Sequence, residues 1–463
     1  MNLKEKKMLD VIFREYDIRG LYGKELNEKS VKAIGFCLGQ TMLNKGCKNV
    51  SVGYDARYSA NELFNYLVSG LNKAGIKIYD IGLVPTPLGY FSLYEGLKFD
   101  ANVMITGSHN PKDYNGFKIT INKESFFGEE LKEFSKEVYK HLDDEIEENL
   151  EVEKYDILSL YVKFMCEQFS FLKDFNYKFG VDCTNGAAGV VIKPLIKALN
   201  LKAHVMFAEP DGQFPNHAPD PTEEENLSAI REFLNQNQDY SLAFAFDGDA
   251  DRMVALSKTH VFCGDELCYL FAKNIPNPRI LGEVKCSKNL FDEVAKFGTI
   301  FMGKTGHSNI KKMMKEKDID LAAEVSGHIF FKHRYFGYDD GIYAFLRALE
   351  LVYKGFDLES MIKALPKLYT TPEIKIHVNE EEKFKLVEEF QKEIEKGALK
   401  GVKSLCEIDG ARIDFGDGWA LLRASNTSPY LITRFEATSL ERAKELESTV
   451  FSLFNEIKAR LKN

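Results

Sequence analysis

The chain has 463 residues, 44% of them hydrophobic and 28% charged, so it can bury several cores and divides by length into roughly three or four domains. Its 70 acidic and 61 basic residues give a net charge of −9, which excludes a general attraction to nucleic acid or anionic lipid. The chain shows no membrane-length apolar run, no signal-peptide core and no zinc spacing among its eight cysteines. We therefore expect a soluble cytoplasmic protein with no nucleic-acid or membrane partner, and the sequence leaves its oligomeric state open.

The first 150 or so residues alternate between strand-like and helical patterns. Runs such as NVSVGYD, IKIYDIG and ANVMIT are typical of strands, and SANELFNYLVSGLNKAG between two of them is typical of a helix. The charged stretch HLDDEIEENLEVEKYD that follows has few apolar anchors and indicates a helix end and a linker. These features predict an α/β domain at residues 1–153.

The same alternation continues through the middle of the chain. YKFGVD, KAHVMFA and SLAFAF read as strands, and Thr222 with Glu225 predicts a capping box at the start of a helix. MVALS, RILGEV, TIFM and DLAAEV then alternate with helices. We predict two further α/β domains, at residues 154–255 and 256–368.

The last hundred or so residues have a different pattern. Two prolines in LPKLYTTPE interrupt the alternation, and the strand EIKIHV and a helix rich in Glu and Lys follow. Asp409-Gly410 and Asp417-Gly418 predict hairpin turns, and the C-terminal segment predicts an amphipathic helix. We predict a smaller α+β domain at residues 369–463.

The loop DGDADR follows the apolar run SLAFAF, and ligands in open α/β sheets bind outside the carboxyl ends of strands. Asp247, Asp249 and Asp251 alternate with small residues, so a looped backbone can turn three carboxylates toward one cation. Oxygen-only ligands favour magnesium or calcium. An EF-hand would need glycine and glutamate where this chain has Arg252 and Lys258. We interpret the loop as a metal site rather than a solvated acidic turn.

The loop TGSHNP follows another apolar run, ANVMI. Ser108 lies between Gly107 and Pro111 in a turn whose backbone N–H groups can approach an anion. A serine hydroxyl needs a base or a metal to become nucleophilic. His109 is adjacent, but we expect adjacent side chains to point apart, and the G-x-S-x-G pattern of a hydrolase is absent. The loop therefore predicts either an anion-binding turn or an ordinary capped turn.

Two other segments carry phosphate-binding patterns. RASNTSP offers charged, hydroxyl and amide donors suited to a phosphate, or is an ordinary polar loop. GTIFMGKT, residues 298–305, matches the nucleotide-binding pattern G-x-x-x-x-G-K-[ST]. Its four variable residues, however, form a predicted strand with a helix before it, whereas a true phosphate loop lies between a strand and the next helix. We interpret this match as coincidental and keep a P-loop-type ATPase as a remote alternative.

Five motifs together resemble the α-D-phosphohexomutase superfamily, and most closely its bacterial phosphomannomutase/phosphoglucomutase members. In order and spacing they are FREYDIRG (13–20), TGSHNP (106–111), DGDADR (247–252), EVSGH (324–328) and RASNTSP (423–429). The resemblance covers essentially the whole chain. It implies four domains around a central cleft, of which three are related α/β domains and the fourth is the smaller C-terminal α+β domain.

The resemblance also implies an activity. Ser108 would be carried as phosphoserine and would hand its phosphoryl group to a hexose phosphate such as mannose or glucose phosphate. The resulting hexose 1,6-bisphosphate would turn around and return its other phosphate, so that phosphate moves reversibly between C1 and C6. The three aspartates, with an oxygen of phosphoserine 108, would hold Mg²⁺.

The remaining site residues follow from the same resemblance. Positive charge around the reacting phosphate would come from Arg19, His109, Lys118, Arg252 and Lys285. Either Lys118 or His328 would move the proton of the sugar hydroxyl, and the sequence leaves that choice open. The other substrate-binding residues would be Tyr16, Lys304, His307, Glu324, Ser326, Arg423, Ser425, Asn426 and Thr427.

The second letter of the motif EVSGH separates the nearest alternatives. EVSGH has valine where a polar residue is usual in phosphoglucosamine mutases, so Val325 favours glucose and mannose phosphates over glucosamine phosphate. Phosphoglucosamine mutase is the nearer alternative function. A phosphosugar-binding relative without turnover is the non-enzyme alternative, and the presence of Ser108 and all three aspartates argues against it.

Overall fold

The computed structural model describes residues 11–379, 381–426 and 429–462. The chain divides into two compact units. The larger unit comprises Met1–Leu267 and Ser326–Asp357, and the smaller unit comprises Cys268–Val325 and Leu358–Asn463. Among the helices of the described residues, none combines the length and the apolar character that a membrane span requires.

The first part of the larger unit is a mixed sheet with helices. Its elements are β1 (Ile18–Leu21), α1 (Glu28–Asn44), β2 (Asn49–Tyr54), α2 (Ala60–Ala74), β3 (Lys77–Leu83), α3 (Thr86–Phe91), β4 (Ala101–Ile105), β5 (Tyr114–Ile121), β6 (Glu124–Ser125), α4 (Glu129–Lys140) and β7 (Glu153–Lys154). The strand order is β1-β5-β4-β2-β3-β7, with β6 paired to β5. Strands β2, β3 and β4 are parallel, and β5 is antiparallel to β1 and β4, so the loops after β2 and β4 leave the sheet at the same edge.

Helices α1 and α2 show how local sequence produces this packing. The Asn27 side chain accepts from the Ser30 backbone N–H at 3.1 Å, and the Ser30 hydroxyl accepts from the Asn27 N–H at 3.0 Å. This capping box starts α1. A Cβ on Gly35 would lie 2.3 Å from the Leu67 carbonyl oxygen, and one on Gly70 would be equally crowded. The two helices therefore approach each other closely because both contact positions are glycine.

The second part of the larger unit is a five-stranded sheet. Its elements are α5 (Ile157–Gln168), β8 (Lys178–Asp182), α6 (Gly189–Leu199), β9 (Lys202–Met206), α7 (Ser228–Gln236), β10 (Leu242–Phe246), β11 (Met253–Ser257) and β12 (Val261–Phe262), with short 3₁₀ turns at Ser170–Leu172 and Glu224–Leu227. Helix α8 (Gly264–Ala272) follows and includes the boundary between the two units, after Leu267. The order is β12-β11-β10-β8-β9. Strands β8, β9 and β10 are parallel, and the buried strand β10 leads directly into DGDADR.

The capping box predicted at Thr222 and Glu225 is wrong. The Thr222 hydroxyl donates to Asp220 Oδ1 at 2.7 Å, and the Thr222 backbone N–H donates to the same oxygen at 3.1 Å. Because the aspartate two residues earlier binds both groups, the hydroxyl does not cap a helix. Helix α7 begins instead at Ser228.

Three parallel strands follow in the smaller unit. The elements are β13 (Arg279–Glu283), α9 (Lys288–Val294), β14 (Thr299–Gly303), α10 (His307–Lys317) and β15 (Leu321–Ala323), with β13 between β14 and β15. The strand predicted for the variable residues of GTIFMGKT is confirmed as β14, and α9 precedes it. That segment is therefore a strand and not a phosphate-binding loop.

The second segment of the larger unit, Ser326–Asp357, contains β16 (Ile329–Phe331) and α11 (Gly341–Tyr353). Glu350 of α11 is 1% exposed and lies among three cations. Its carboxylate oxygens are 2.9 Å from Arg334 Nη1, 3.1 Å from Arg347 Nε and 2.9 Å from Lys354 Nζ. Burial alone would raise the pKa of Glu350, but these cations lower it to about 2.

Glu350→Gln is expected to lower the free energy of unfolding by roughly 3 kcal/mol at pH 7, because it leaves the surrounding cations without their anion. The folded-state pKa is about 2 and the ordinary value is 4.5, so the carboxylate stabilises the fold above pH 4.5 and loses that effect as the pH falls toward 2. Urea unfolding at several pH values between 7 and 3 measures this, with the exposed Glu167→Gln as control. A difference between wild type and variant that stays constant over this pH range would contradict the prediction.

The C-terminal part of the smaller unit is antiparallel. Its elements are α12 (Leu358–Lys363), β17 (Tyr369–Thr370), β18 (Ile374–His377), α13 (Lys383–Glu395), β19 (Ser404–Cys406), β20 (Ala411–Asp414), β21 (Gly418–Ala424), β22 (Tyr430–Ala437) and α14 (Leu440–Lys462). The order is β17-β22-β21-β20-β19, with β18 also paired to β22. Both predicted hairpins form, between β19 and β20 and between β20 and β21. In the second, Gly416 at φ +88° takes the turn conformation and Gly418 already lies in β21.

Candidate active site

Three buried carboxylates form the centre of a candidate site in the larger unit. Asp247, Asp249 and Asp251 follow β10, have no exposed surface, and each places one oxygen within 4.8 Å of the others. Ala250 has φ +56°, which turns the backbone so that the alternating aspartates face the same side. Burial, together with the charges of Asp249 and Asp251, raises the pKa of Asp247 well above its ordinary value. The cluster therefore favours a cation.

Lys118 of β5 supplies part of the positive charge. Its ammonium donates to Asp249 Oδ2 at 2.8 Å and to Asp251 Oδ2. Burial alone would lower the pKa of Lys118, but these two carboxylates raise it overall. The Thr86 hydroxyl also donates to Asp249 Oδ2, at 2.6 Å.

The donor set at this cluster fits a metal ion. The second oxygen of Asp249, Oδ1, is buried and has no hydrogen-bond partner among the described residues. A buried carboxylate oxygen without a donor is costly unless a ligand compensates it. Three carboxylates with no sulfur ligand suit a hard divalent cation. Asp247, Asp249 and Asp251 are therefore the residues that would hold one.

Ser108 lies against this cluster. It follows β4, is 2% exposed, and donates from Oγ to Asp247 Oδ2 at 3.0 Å. The expectation that Ser108 and His109 point apart is wrong, because His109 Nδ1 lies 3.3 Å from Ser108 Oγ. Ser108 has φ +49°, and this left-handed conformation changes the side-chain directions that ordinary backbone would give. Burial, Arg252 and Arg19 lower the pKa of His109 well below its ordinary value, which favours a neutral imidazole beside the serine.

Arg252 and His328 also contact the acidic cluster. The Arg252 backbone N–H donates to Asp247 Oδ1 at 3.2 Å, and its Nε donates to His328 Nε2 at 3.0 Å. The same His328 nitrogen is 3.1 Å from Asp251 Oδ1. A neutral His328 can accept a hydrogen bond from Arg252, and a protonated His328 can donate one to Asp251. The imidazole therefore has a hydrogen-bond partner in the cluster in either protonation state.

Arg19 also contacts the serine loop. Its Nη1 donates to the Gly107 carbonyl and to Asn110 Oδ1, both at 3.3 Å, and its Nη2 pairs with Asp17. Tyr16 is half-buried in the same N-terminal segment, and the half-buried Ser326 starts the second segment of the larger unit. Of the predicted residues in this unit, the structure brings together Ser108, the three aspartates, His109, Lys118, Arg252, His328 and Arg19.

A second group of predicted residues lies around Glu283 in the smaller unit. Glu283 ends β13 with no exposed surface. Its oxygens accept from the Thr305 hydroxyl at 2.7 Å and from the Val325 N–H at 3.2 Å. Lys285 Nζ lies 3.7 Å from Glu283 and 3.5 Å from Glu373. Burial alone would lower the pKa of Lys285, but these carboxylates raise it.

Asp409 connects Thr305, which follows β14, with Arg423 of β21. Its Oδ2 accepts from the Thr305 N–H at 3.0 Å and from Arg423 Nε at 3.1 Å. Glu324 Oε1 accepts from the Gly306 N–H at 2.7 Å. Thr305, Gly306, Glu324 and the strand that carries Arg423 therefore meet within the smaller unit.

The other predicted residues of the smaller unit differ in exposure. His307 begins α10 and is buried, Lys304 is exposed, Ser425 is buried and Asn426 is half-buried. Thr427 lies outside the described residues.

Sequence reasoning missed several residues that support these groups: Asp55, Arg57, Thr86, Glu283 and the acceptor role of Asp409. Asp55 and Arg57 immediately follow β2, and Glu283 ends β13. The rule that located the other loops, that ligand-binding residues follow parallel strands, applies to these strands as well. Thr86 and Asp409 carry no comparable local signal.

Four sequence models match the chain in succession. They describe phosphoglucomutase/phosphomannomutase alpha/beta/alpha domain I at residues 10–148, domain II at 159–260, domain III at 263–369 and the C-terminal domain at 373–453. The chain belongs to the phosphoglucomutase/phosphomannomutase family. The resemblance drawn from the five motifs is confirmed, as is the fold of three α/β domains and a smaller C-terminal domain.

Individual members of this family are similar over nearly their whole length. A phosphomannomutase/phosphoglucomutase of Pseudomonas aeruginosa is 41% identical, over 97% of this chain and 96% of the relative. A phosphoglucomutase of Neisseria gonorrhoeae is 35% identical, over 94% of this chain and 95% of the relative. A phosphoglucomutase/phosphomannomutase family protein from Burkholderia thailandensis, known from its crystal structure, is 35% identical in sequence to this chain. The two structures superpose with a TM-score of 0.88 over 97% of this chain and 98% of the relative.

Proposed function

We propose that this protein is a phosphohexomutase, an isomerase that moves phosphate reversibly between C1 and C6 of hexose phosphates. One observation carries the proposal: a buried serine hydroxyl lies 3.0 Å from one of three clustered carboxylates, with Lys118 bonded to the other two. Phosphoryl transfer depends mainly on positioning and charge neutralisation, and this arrangement supplies both. The full-length similarity to phosphomannomutase/phosphoglucomutases supports the same activity.

Ser108 is the phosphoryl carrier in this proposal. A hydroxyl of the hexose phosphate attacks the phosphorus of phosphoserine 108, the bond from phosphorus to Oγ breaks, and a hexose 1,6-bisphosphate results. The bisphosphate then reorients, and Ser108 Oγ takes back the other phosphoryl group. The proton of the attacking hydroxyl goes to His328, which contacts the acidic cluster; Lys118 is the other candidate but would first have to lose a proton, because its ammonium already donates to two of the aspartates. Arg252, Arg19 and His109 surround the same serine and provide charge or donors there.

Mg²⁺ is the proposed ion of the acidic cluster, held by Asp247, Asp249 and Asp251 with an oxygen of phosphoserine 108. When bound, it neutralises charge on the phosphoryl group during transfer. Hexose 1,6-bisphosphate serves as the activator that first phosphorylates Ser108.

The remaining substrate-binding residues of this proposal come from the family resemblance. Arg423, Ser425, Asn426 and Thr427 bind the phosphate that does not react, because they combine a guanidinium fork with neutral donors. The other substrate-binding residues are Tyr16, Lys285, Lys304, His307, Glu324 and Ser326. The domain boundaries after residues 153, 255 and 368, and the cytoplasmic location, stay predictions.

A side-by-side assay of mannose 1-phosphate, glucose 1-phosphate and glucosamine 1-phosphate tests the substrate class. With Mg²⁺ and a trace of hexose 1,6-bisphosphate, we expect the mannose and glucose phosphates to turn over at least about tenfold faster than glucosamine phosphate, since Val325 offers no polar group to the amine. Turnover of glucosamine phosphate alone would keep the mechanism and identify a phosphoglucosamine mutase. Turnover of none of them would refute the proposed function.

A further inference from the structure

The backbone of Ser108 is held in a conformation that it would not adopt by itself. Its φ of +49° lies in the left-handed region, which an L side chain occupies only when its surroundings impose it. The consequence is functional, because this conformation directs Oγ to Asp247 Oδ2 at 3.0 Å. The groups that impose the conformation therefore control the position of the phosphoryl carrier.

One buried guanidinium bonds to the backbone of the loop that carries Ser108. Arg57, which follows β2, has a side chain with no exposed surface. Its Nη2 donates to the carbonyls of Ser108 at 2.8 Å and Asn110 at 2.6 Å. Its Nη1 donates to the carbonyls of Pro111 at 2.6 Å and Tyr114 at 2.9 Å. Four backbone carbonyls of one loop are thus bonded to a single planar group, which lies some fifty residues away in sequence.

Asp55 holds the other side of the same loop. Its Oδ2 accepts from the Thr106 hydroxyl at 2.8 Å and the Gly107 N–H at 3.2 Å, and lies 3.3 Å from Arg57 Nε. Thr106 Oγ1 in turn accepts from the Ser108 N–H at 2.8 Å. The N–H and the carbonyl of Ser108 are therefore both fixed, one through Thr106 and Asp55 and the other by Arg57.

The Arg57 guanidinium packs tightly against Gly107. A Cβ on Gly107 would lie 2.4 Å from the Arg57 guanidinium carbon and 2.8 Å from the Tyr114 carbonyl oxygen. Glycine at this position lets the guanidinium reach its carbonyls. Arg57 makes no described hydrogen bond to Ser108 Oγ or to the three aspartates of the acidic cluster. Its role is therefore indirect.

We propose that Arg57 is the positioning residue of the phosphoryl carrier: its guanidinium holds Ser108 in the left-handed conformation that aims Oγ at the acidic cluster. This inference rests on the proposed function, since it takes Ser108 as the group that accepts the phosphoryl. Lysine cannot replace the arginine, because one ammonium has neither the planar fork nor the reach to bond four carbonyls.

Arg57→Lys is expected to slow phosphorylation of Ser108 by hexose 1,6-bisphosphate by about 100-fold, because a displacement of roughly 1 Å at a reacting group has an effect of that size. The KM for glucose 1-phosphate and the Mg²⁺-induced rise in the thermal unfolding temperature of the unphosphorylated protein should stay within about twofold of wild type, since they depend on the sugar-binding residues and on the three aspartates. Rapid-quench mass spectrometry of the intact protein gives the phosphorylation rate.

The matched control is Arg347→Lys. Arg347 is also buried in the larger unit, donates to the His333 carbonyl at 3.1 Å and pairs with Glu350, and none of its described bonds reaches the serine loop. A second variant, Gly107→Ala, displaces the Arg57 guanidinium without removing it. It keeps the test decisive if Arg57→Lys does not fold, and it is expected to slow the same step.

The outcomes separate the inference from the proposed function. Slow phosphorylation in Arg57→Lys or Gly107→Ala with unchanged KM, and a normal rate in Arg347→Lys, would support the positioning role. Equal rates in Arg57→Lys and wild type would overturn it, and so would parallel losses of rate, KM and stability in Arg57→Lys and Arg347→Lys. A wild-type protein that turns over substrate without ever carrying phosphate on Ser108 would instead refute the proposed function.

Discussion

Ser108→Ala is expected to reduce kcat/KM for glucose 1-phosphate by at least about 10⁴-fold, the size of effect seen when a nucleophile is removed from an active site. Ser108 donates directly to the acidic cluster, and no other described hydroxyl except that of Thr86 does so. The Thr86 hydroxyl is already bonded to Asp249, at 2.6 Å. Intact-protein mass spectrometry should find one phosphoryl group on the wild type after incubation with hexose 1,6-bisphosphate, and none on the variant.

Ser69→Ala is the control for this experiment. Ser69 is also a buried serine of the larger unit, and its hydroxyl donates to the Asn65 carbonyl at 2.7 Å in helix α2. It should keep near-wild-type activity and carry the same phosphoryl group. Substantial activity in Ser108→Ala would show that phosphate passes between sugars without this serine, and the carrier mechanism would then be wrong.

Asp249→Asn is expected to reduce turnover by about 10³-fold or more at saturating Mg²⁺, because the loss of one carboxylate weakens both metal binding and charge neutralisation. The substitution keeps the shape of the side chain, and its oxygen can still accept from the Thr86 hydroxyl and Lys118. The fold should therefore survive. In the wild type, Mg²⁺ should raise the thermal unfolding temperature and a chelator should reverse that rise and abolish turnover, whereas the variant should show no shift.

Asp239→Asn is the matched control, because Asp239 belongs to the larger unit but is exposed and paired with Lys178 at the surface. Its Mg²⁺-induced shift and its turnover should equal those of the wild type. Full activity of Asp249→Asn at saturating Mg²⁺ would remove Asp249 from the metal site. A wild-type unfolding temperature that does not respond to any divalent cation would count against the whole metal assignment.

The four-domain fold and the two central motifs could be predicted because their signals are local. Strands β2, β4, β8 and β10 are short apolar runs, and the Ser108 loop and DGDADR each follow such a run directly. Alternation of these runs with helical patterns is enough to predict α/β domains, and the break in that alternation at LPKLYTTPE predicts the change to an antiparallel C-terminal domain. The P-loop match could be rejected for the same reason, because its variable residues have the apolar pattern of a strand.

Errors arose where a neighbour in the chain competes for a donor or changes the backbone. Thr222 has the letters of a helix cap, yet Asp220 binds its hydroxyl first. Ser108 and His109 were expected to point apart, yet a positive φ at Ser108 brings their side chains within 3.3 Å. Such conformations depend on contacts outside the segment, so a pattern of residue types does not predict them.

The sequence by itself determined which residues carry the chemistry, namely a serine, three aspartates and a set of cations, each placed after a strand. The tertiary structure alone decided how those residues are held. Arg57 bonds the carbonyl of Ser108, which is 51 positions away, and Thr86 bonds Asp249 across 163 positions. Side chains so distant in sequence become neighbours only when the chain folds: Arg57 and Ser108 follow neighbouring strands of one sheet, whereas Thr86 and Asp249 follow strands of two different sheets. For that reason the motifs could be found in the sequence, whereas the hydrogen bonds that position them could be found only in the folded chain.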